Sequence, residues 1–282
     1  HRIYKSSTYF TPDNLPAPLV DLSPDIEEYE DTAGNAGENW YIVSAYILDY
    51  EVFSEPFIPG LTTIFTHDIF GDGSAVATYN FDGDATDLGG NYDGSWVNGE
   101  SYNTGIVAQS AEFTGGNHIS LPTQVIVTGD TQRSISLWSF VSSSDTSRQS
   151  LVNIGNGFNS ENFDIEANAF DGSGESTKYG IHIWAGAVNF PVNTIYDEWV
   201  HLVVVHSGGD LSPDNTTMYV NNTPYQADRT RSINTNNNDI NLGYRDYHSD
   251  NLYLTGRIDQ LRFFNRALTQ SEVDILYQEG AS

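Results

Sequence analysis

Three stretches of the sequence carry residue types whose spacing could do chemistry. In Glu161-Asn162-Phe163-Asp164-Ile165-Glu166 acids recur along a strand-like run, and the two-residue period of a strand puts Asn162, Asp164 and Glu166 on one face. Paired carboxylates are the equipment of glycoside hydrolysis, one acting as nucleophile and the other as general acid; the alternative is an ordinary strand with a solvated polar face. Asp82, Asp84, Asp87 and Asn91 gather oxygen donors in one loop, and a hard cation such as calcium takes about six to eight oxygens from carboxylates, amides and carbonyls. Their spacing is not that of an EF-hand, and solvated turn acids are the competing reading. In Gly243-Tyr244-Arg245-Asp246-Tyr247-His248-Ser249-Asp250 aromatics interleave with polar groups, as the faces and edges of a sugar require. Trp96, with Tyr92 and Tyr102, forms a second candidate platform; either set would alternatively plug a sandwich end.

Other chemistries find no support. The seven histidines make no HxxxH-type or Ser-His-Asp pattern; His201 and His206 flank a valine run as strand residues, and His67 reads as a surface or linker residue. The chain has no cysteine, which excludes disulfides, thiolate metal sites and a cysteine nucleophile. Asp and Glu number 38 against 11 Lys and Arg, a formal net charge of −27. Only Lys5 and Lys178 join the scattered arginines, so nucleic acid and anionic membrane surfaces are excluded as partners. No run approaches the roughly 18 apolar residues that cross a bilayer, and a soluble protein without membrane insertion is expected. The acceptor patterns Asn215-Thr216-Thr217 and Asn221-Asn222-Thr223 are discounted as chance in an Asn/Thr-rich chain.

The elements that must position these residues are short strands. From Ala75 onward, runs such as AVATYNF, SISLWSFV, FDIEANAF, WVHLVVVH and LYLTGRIDQLRFF recur between Gly, Asn and Asp clusters, the pattern of a two-sheet sandwich or jelly roll. One helix is expected, opened by the capping box Thr269-Gln270-Ser271-Glu272, with Val273, Leu276 and Tyr277 on one face and Gly280 as its C-terminal stop. Earlier, Pro12, Pro16 and Pro18 mark a turn and an edge-like extended segment. Pro59, Gly60, Gly71 and Gly73 around a short apolar stretch mark residues 59–73 as an inter-domain linker able to pack against one neighbour.

Two resemblances follow. Arg2-Ile3-Tyr4, Tyr29-Glu30-Asp31-Thr32, Trp40-Tyr41-Ile42-Val43-Ser44-Ala45 and Ser54-Glu55-Pro56 resemble the later part of a fibronectin type III-like domain over residues 1–58, of the kind found in bacteriophage structural and secreted bacterial proteins. Asn39 beside Trp40 departs from that family's tyrosine corner. A seven-strand sandwich needs roughly 90 to 100 residues, so the chain is expected to be a fragment whose missing strands are supplied elsewhere. Tyr79-Asn80-Phe81-Asp82-Gly83-Asp84, Ala111-Glu112-Phe113-Thr114-Gly115, Ser134-Ile135-Ser136-Leu137-Trp138, Glu198-Trp199-Val200-His201-Leu202-Val203, Met218-Tyr219-Val220-Asn221-Asn222 and Gly256-Arg257-Ile258-Asp259 resemble the laminin G-like, concanavalin A-like jelly-roll family over residues 74–282. That resemblance implies an all-β, two-sheet jelly roll with a short C-terminal helix, preceded by the partial immunoglobulin-like sandwich. It also implies that Asp259 joins Asp82, Asp84, Asp87 and Asn91 in a calcium site. In jelly-roll glucanases the strand motif begins with a carboxylate; here Asn162 stands in that place, and an amide is neither nucleophile nor base, so no catalytic residue is assigned.

The expectation is a non-enzymatic recognition module on a phage virion or secreted bacterial assembly, extracellular, and part of a homo-oligomer or larger particle. It would bind a glycan or cell-surface receptor through Tyr244, Arg245, Asp246, Tyr247 and Trp96. A purely structural decoration or stapling protein of a virion is the second reading, and a glycan-cleaving enzyme the third.

Overall fold

The alternating runs become strands throughout the chain. The computed structural model describes residues 2–6, 18–21, 40–47 and 50–53 as strands, and residues 67–280 apart from 126–127, 156–159, 171–173, 175–176, 184–185 and 247–250. Two units form, His1–Ile64 and Phe65–Ser282. The first contains β1 (Arg2–Ser6), β2 (Pro18–Asp21), β3 (Trp40–Ile47) and β4 (Tyr50–Phe53), antiparallel in the order β2-β1-β3-β4. Pro18 opens β2, which lies at the sheet edge, where a missing N–H leaves no ladder bond unmade.

The second unit contains, in chain order, β5 (Ala75–Tyr79), β6 (Ser95–Val97), β7 (Tyr102–Thr104), β8 (Gln109–Thr114), β9 (His118–Ser120), β10 (Arg133–Val141) and β11 (Gln149–Ile154). It continues through β12 (Phe163–Ala167), β13 (Lys178–Ile183), β14 (Gly186–Asn193), β15 (Trp199–His206), β16 (Thr216–Val220) and β17 (Thr223–Gln226). It ends with β18 (Ile240–Leu242), β19 (Tyr244–Arg245), β20 (Leu252–Tyr253), β21 (Thr255–Phe264) and the helix α1 (Gln270–Gly280). Eight strands form one sheet in the order β17-β16-β15-β10-β21-β8-β7, with β5 also on β21; seven form the other, β14-β13-β12-β11-β18-β9-β6. This is the expected two-sheet jelly roll. Its core lies between the sheets and is filled by alternate residues such as Ile135, Leu137, Ile165, Ile181, Val200, Leu202, Val204 and Phe263, each worth roughly 1.5–3 kcal/mol of burial for a large apolar side chain.

Strand alternation also sets what faces away from the core. On β21 the register against β10 slips, so that Ser136 pairs with Arg262 and Trp138 with Asp259, and Gln260 adopts φ +47°. This bulge lets Ile258 and Leu261 both reach the core while Asp259 and Arg262 point outward. Outside this sheet a second cluster forms from Val203, Val205, Phe264, Leu268, Val273 and Leu276, with Ile69 and Phe70 against it. Residues 67–73, expected within a linker, therefore belong to the second unit: Phe70 packs on Phe264 at 5.5 Å between centroids, and Asp72 pairs with Arg266 at 2.7 Å. The exposed apolar stripe of β15 and β21 is the physical reason, because the helix alone does not cover it.

The helix opens as expected. Thr269 N donates to Glu272 Oε2 at 2.7 Å and Glu272 N donates to Thr269 Oγ1 at 3.4 Å, a reciprocal cap. Gly280 has a different role from a terminal stop. It is the last helical residue, and a Cβ there would come within 2.5 Å of the Trp138 indole, so glycine admits the ring that Tyr277 stacks on at 5.7 Å.

Candidate functional site

The polar residues of β12 turn away from the core, onto the other face of the seven-stranded sheet. Asn162, Asp164 and Glu166 are each 0% exposed, which replaces the expected solvated face by a buried one. Burying carboxylates demands partners. Ser150 Oγ donates to Asp164 Oδ1 at 2.6 Å. Arg245 Nη1 reaches Asp164 Oδ2 at 2.9 Å, Glu166 Oε1 at 2.6 Å and His182 Nδ1 at 2.8 Å. Arg148 Nε lies 3.8 Å from Glu166 Oε1. Burial pushes the carboxyls of Asp164 and Glu166 up, Glu166 further because the Asp164 charge adds to it, while Arg245 opposes both shifts. Burial, then the charges of Arg245 and Arg148, pushes His182 down to about 2, so it stays a neutral acceptor. The cluster is a buried ionic knot.

Arg245 corrects one expectation. It is 1% exposed and inward-facing, so it braces the site from beneath and does not meet a sugar. Its chain neighbour Tyr244 takes the opposite direction, as strand alternation requires. Gly243, at φ +71°, turns the chain from β18 into β19, and a Cβ there would strike the Phe113 ring at 2.3 Å. β19 pairs with β20, Tyr244 opposite Tyr253. The Tyr244 ring stacks on His118 at 4.3 Å and 24° and on Tyr253 at 4.7 Å and 33°, and burial pushes its hydroxyl up to about 12.

Beside this stack opens a pocket of about 280 Å³ walled by Gly115, Asp145, Ser147, Arg148, Asn251, Leu252 and Tyr253. Asp145 Oδ1 accepts from Ser147 N at 2.9 Å and Ser147 Oγ at 2.6 Å, fixing the loop that delivers Arg148. Arg148 thus lines the pocket and approaches Glu166 behind it. The arrangement offers an aromatic face, a guanidinium, a carboxylate and an amide on one wall, a set suited to polar ligands with apolar faces.

Of the expected ligand-binding residues, Tyr244 belongs here. Asp246 is exposed after β19, and Tyr247 lies outside the described residues. Trp96 does not join them. It sits opposite Ile119 while Val97 sits opposite His118, so the period of two sends Trp96 to the core side, where it packs near Phe113 at 5.5 Å and donates Nε1–H to Tyr102 Oη at 2.8 Å. It plugs the sandwich end. Sequence reasoning did not single out His118, Arg148, Asp145, Asn251 and Tyr253; His118 and Arg148 meet their partners, Tyr244 and Glu166, only through the fold.

The five expected calcium ligands have other uses. Asp87 is buried; its Oδ1 accepts from Thr78 N at 2.9 Å and Gly89 N at 3.0 Å, and its Oδ2 from Asn91 N at 3.2 Å and Tyr92 N at 3.3 Å. Asp82 accepts from Gln109 N and Asn80 Nδ2, each at 2.9 Å, and Asp84 from Thr86 N at 2.9 Å and Thr86 Oγ1 at 2.6 Å. Asn91 Nδ2 donates to Gly89 O at 2.9 Å. Asp259 lies on the outer face of the eight-stranded sheet, accepting from Ile106 N, Val107 N and Gln260 N at 2.9, 3.2 and 2.8 Å; burial pushes its carboxyl up to about 7, against those amides. An ionised carboxylate has about four lone-pair sites, and Asp87 directs all of them at amides. Among the described residues no group of three or more His, Asp or Glu is arranged to hold a metal ion. Asp87 therefore keeps no lone pair for a cation.

Comparisons agree with this architecture. A laminin G family model, described as concanavalin A-like lectin/glucanases superfamily, matches residues 113–274, more than half of the chain. No curated protein matches it in sequence. Among solved structures it is similar to domain 4 of AbnA, a GH43 extracellular arabinanase from Geobacillus stearothermophilus, in complex with arabinotriose, with TM-score 0.59, 23% identity, and coverage of 73% of this chain and 98% of that one. It is also similar to botulinum neurotoxin type C, whose cell entry depends on interaction with two ganglioside molecules (TM-score 0.54, 15% identity, 73% of this chain and 51% of that one). A third likeness is to a mutant Trypanosoma rangeli sialidase displaying trans-sialidase activity (TM-score 0.55, 12% identity, 87% and 44%). The chain spans nearly all of the arabinanase domain and about half of the other two proteins. At these identities the likeness is one of fold. Together with the family match it establishes that the chain belongs to the laminin G-like branch of the concanavalin A-like lectin/glucanase superfamily.

Proposed function

We propose that the protein is a non-catalytic carbohydrate-recognition module that works outside the cell and holds a cell-surface glycan in the pocket beside β19 and β20. The observation that carries this reading is the Tyr253 ring on the pocket wall, braced from behind by Tyr244 and His118 and accompanied by Arg148, Asp145 and Asn251. A rigid ring receives the apolar face of a sugar, and fixed planar groups receive its hydroxyls. The arabinotriose bound by the arabinanase domain and the gangliosides on which the toxin's cell entry depends support a glycan as the ligand class.

The same geometry supports the absence of catalysis. Asp164 and Glu166 are the only paired carboxylates of β12, both are fully buried, and one guanidinium nitrogen holds both. A glycosidase pair must flank the scissile bond. The proposal extends to the setting named by the N-terminal resemblance, display on a phage virion or secreted bacterial assembly for attachment.

A glycan array with the purified protein tests the ligand class: binding to a restricted set of glycans is expected, and none at high protein concentration would overturn the reading. Reducing-end release from a bound polysaccharide, abolished by Glu166→Gln, would establish an enzyme instead. Labelling of fibre tips supports attachment, whereas regular coverage of a capsid or tube means decoration.

A further inference from the structure

The outer face of the eight-stranded sheet is divided in two. α1 and residues 69–70 cover the half that carries Phe264, Val203 and Val205. The other half carries Phe140, Trp199, Arg257 and Glu112, all partly exposed; Phe140, Arg257 and Glu112 line a hollow of about 480 Å³ whose walls add Asn103, Thr114, Ser142 and Thr255, and Trp199 stands beyond Phe140. It lies on a different sheet from the ionic knot.

Two features make this hollow unlike an ordinary solvated surface. First, its guanidinium is fixed on aromatic rings: Arg257 Cζ lies 4.1 Å from the Phe140 centroid and 5.2 Å from that of Trp199, and the two rings meet edge to face at 5.8 Å. Second, Arg257 and Glu112 lie directly opposite on β21 and β8, where opposite charges ordinarily pair, yet each is held by other groups. Arg257 Nη1 donates to Thr104 O at 2.7 Å. Glu112 accepts from Ser101 Oγ at 2.9 Å and Asn103 Nδ2 at 2.8 Å. A fixed fork of donors and a fixed acceptor therefore stand side by side in the hollow that the Phe140 ring also lines. Adjacent sugar hydroxyls, each both donor and acceptor, match that pair, and the pyranose or furanose face matches the ring. The wall's one cation and one anion cancel, and the chain carries −27 overall, so a polyanion gains nothing here.

We propose that this half of the outer face is a second carbohydrate site, selective for a short neutral oligosaccharide, with Arg257, Glu112 and Phe140 as its contacts and Trp199, against Phe140 and Arg257, as the neighbouring ring that senses them. It stands independently of the pocket beside β19 and β20.

The test uses the full chain carrying 5-fluorotryptophan at its five tryptophans, with the Trp199 signal assigned through Trp199→Phe. Maltotriose, xylotriose and arabinotriose are the neutral probes, and trigalacturonic acid is the charged one. The expected result is a saturable shift of the Trp199 fluorine signal with at least one neutral trisaccharide. That shift should weaken at least tenfold in Arg257→Ala and in the milder Glu112→Gln, and persist in Tyr253→Ala, which removes the other pocket's ring. No shift with any neutral probe, or a shift with the acidic trisaccharide alone, would overturn the proposal. So would concentration-dependent dimerisation, by sedimentation, that Arg257→Ala abolishes, because this face would then be covered by a second copy. Loss of the array-binding glycan in Tyr253→Ala with the Trp199 response retained separates the two sites.

Discussion

After β5, four backbone amides hold the buried carboxylate of Asp87; on β12, one nitrogen of Arg245 holds both Asp164 and Glu166. The two groups share a residue type and differ in who answers the charge. A loop can curl its own amides around an acid, as Gly89, Asn91 and Tyr92 do, with the fourth coming from Thr78 on β5, whose only strand partner is β21. A strand's amides are mostly bonded to neighbouring strands, so a buried acid on its face draws on groups from elsewhere: the Arg245 side chain for the pair on β12, and loop amides of Ile106 and Val107 for Asp259 on β21. The first solution is local and makes a clasp. The second draws β11, β12, β13 and β19 together and sets the direction of β19, which places Tyr244 behind the pocket.

The largest effect that sharpens this contrast is at Arg245. Arg245→Met leaves two carboxylates buried without their shared cation, and a loss of about 3–5 kcal/mol is expected in urea unfolding. Adding Asp164→Asn and Glu166→Gln to it should restore more than half of that; no recovery would break the account of the knot. Asp87→Ala, which strands four amides, should cost about 2 kcal/mol or more, and a change below about 0.5 would show the clasp to be incidental. His201 shows the third course, a buried group left neutral: burial, and then the Arg262 charge, pushes it down to about 3. Its unfolded counterpart takes up a proton below about pH 6.5 while the folded one does not, so its stabilisation is present above that pH and lost as pH falls. Between pH 6.5 and 5 the wild type should lose about 2 kcal/mol more than His201→Gln; parallel pH curves would contradict this. The smallest effect concerns the acidic loop: exhaustive chelation should leave the melting midpoint unchanged, whereas a fall of several degrees would restore calcium to Asp82, Asp84 and Asp87.

The fold was legible because its signals are periodic and local. Alternation in WVHLVVVH, the Thr269–Glu272 cap and the edge position of Pro18 each depend on a few adjacent residues. The site was legible in part. Composition picks out Tyr244, which the fold sets behind the candidate pocket, but whether the neighbouring Arg245 faces a ligand or a buried acid depends on β12, about 80 residues away. Likewise the period of two separates Trp96 from His118 only once β6 is registered against β9. Asp82 to Asn91 read as cation ligands because a sequence shows carboxylates and hides the amides that answer them. The available signal was arithmetic: with 11 Lys and Arg against 38 acids, a cation near two alternating strand acids is a candidate to answer them before it answers a ligand, as Arg245 does.

The central claim is that a braced tyrosine, and no catalytic acid, gives this protein its function. Isothermal titration of the tightest array-bound glycan tests it most directly, comparing wild type with Tyr253→Ala and with Ile275→Ala at an exposed helix position. The expected result is at least a tenfold loss, about 1.4 kcal/mol, in Tyr253→Ala alone, with the glycan recovered uncleaved. Equal affinity in all three proteins would contradict the account.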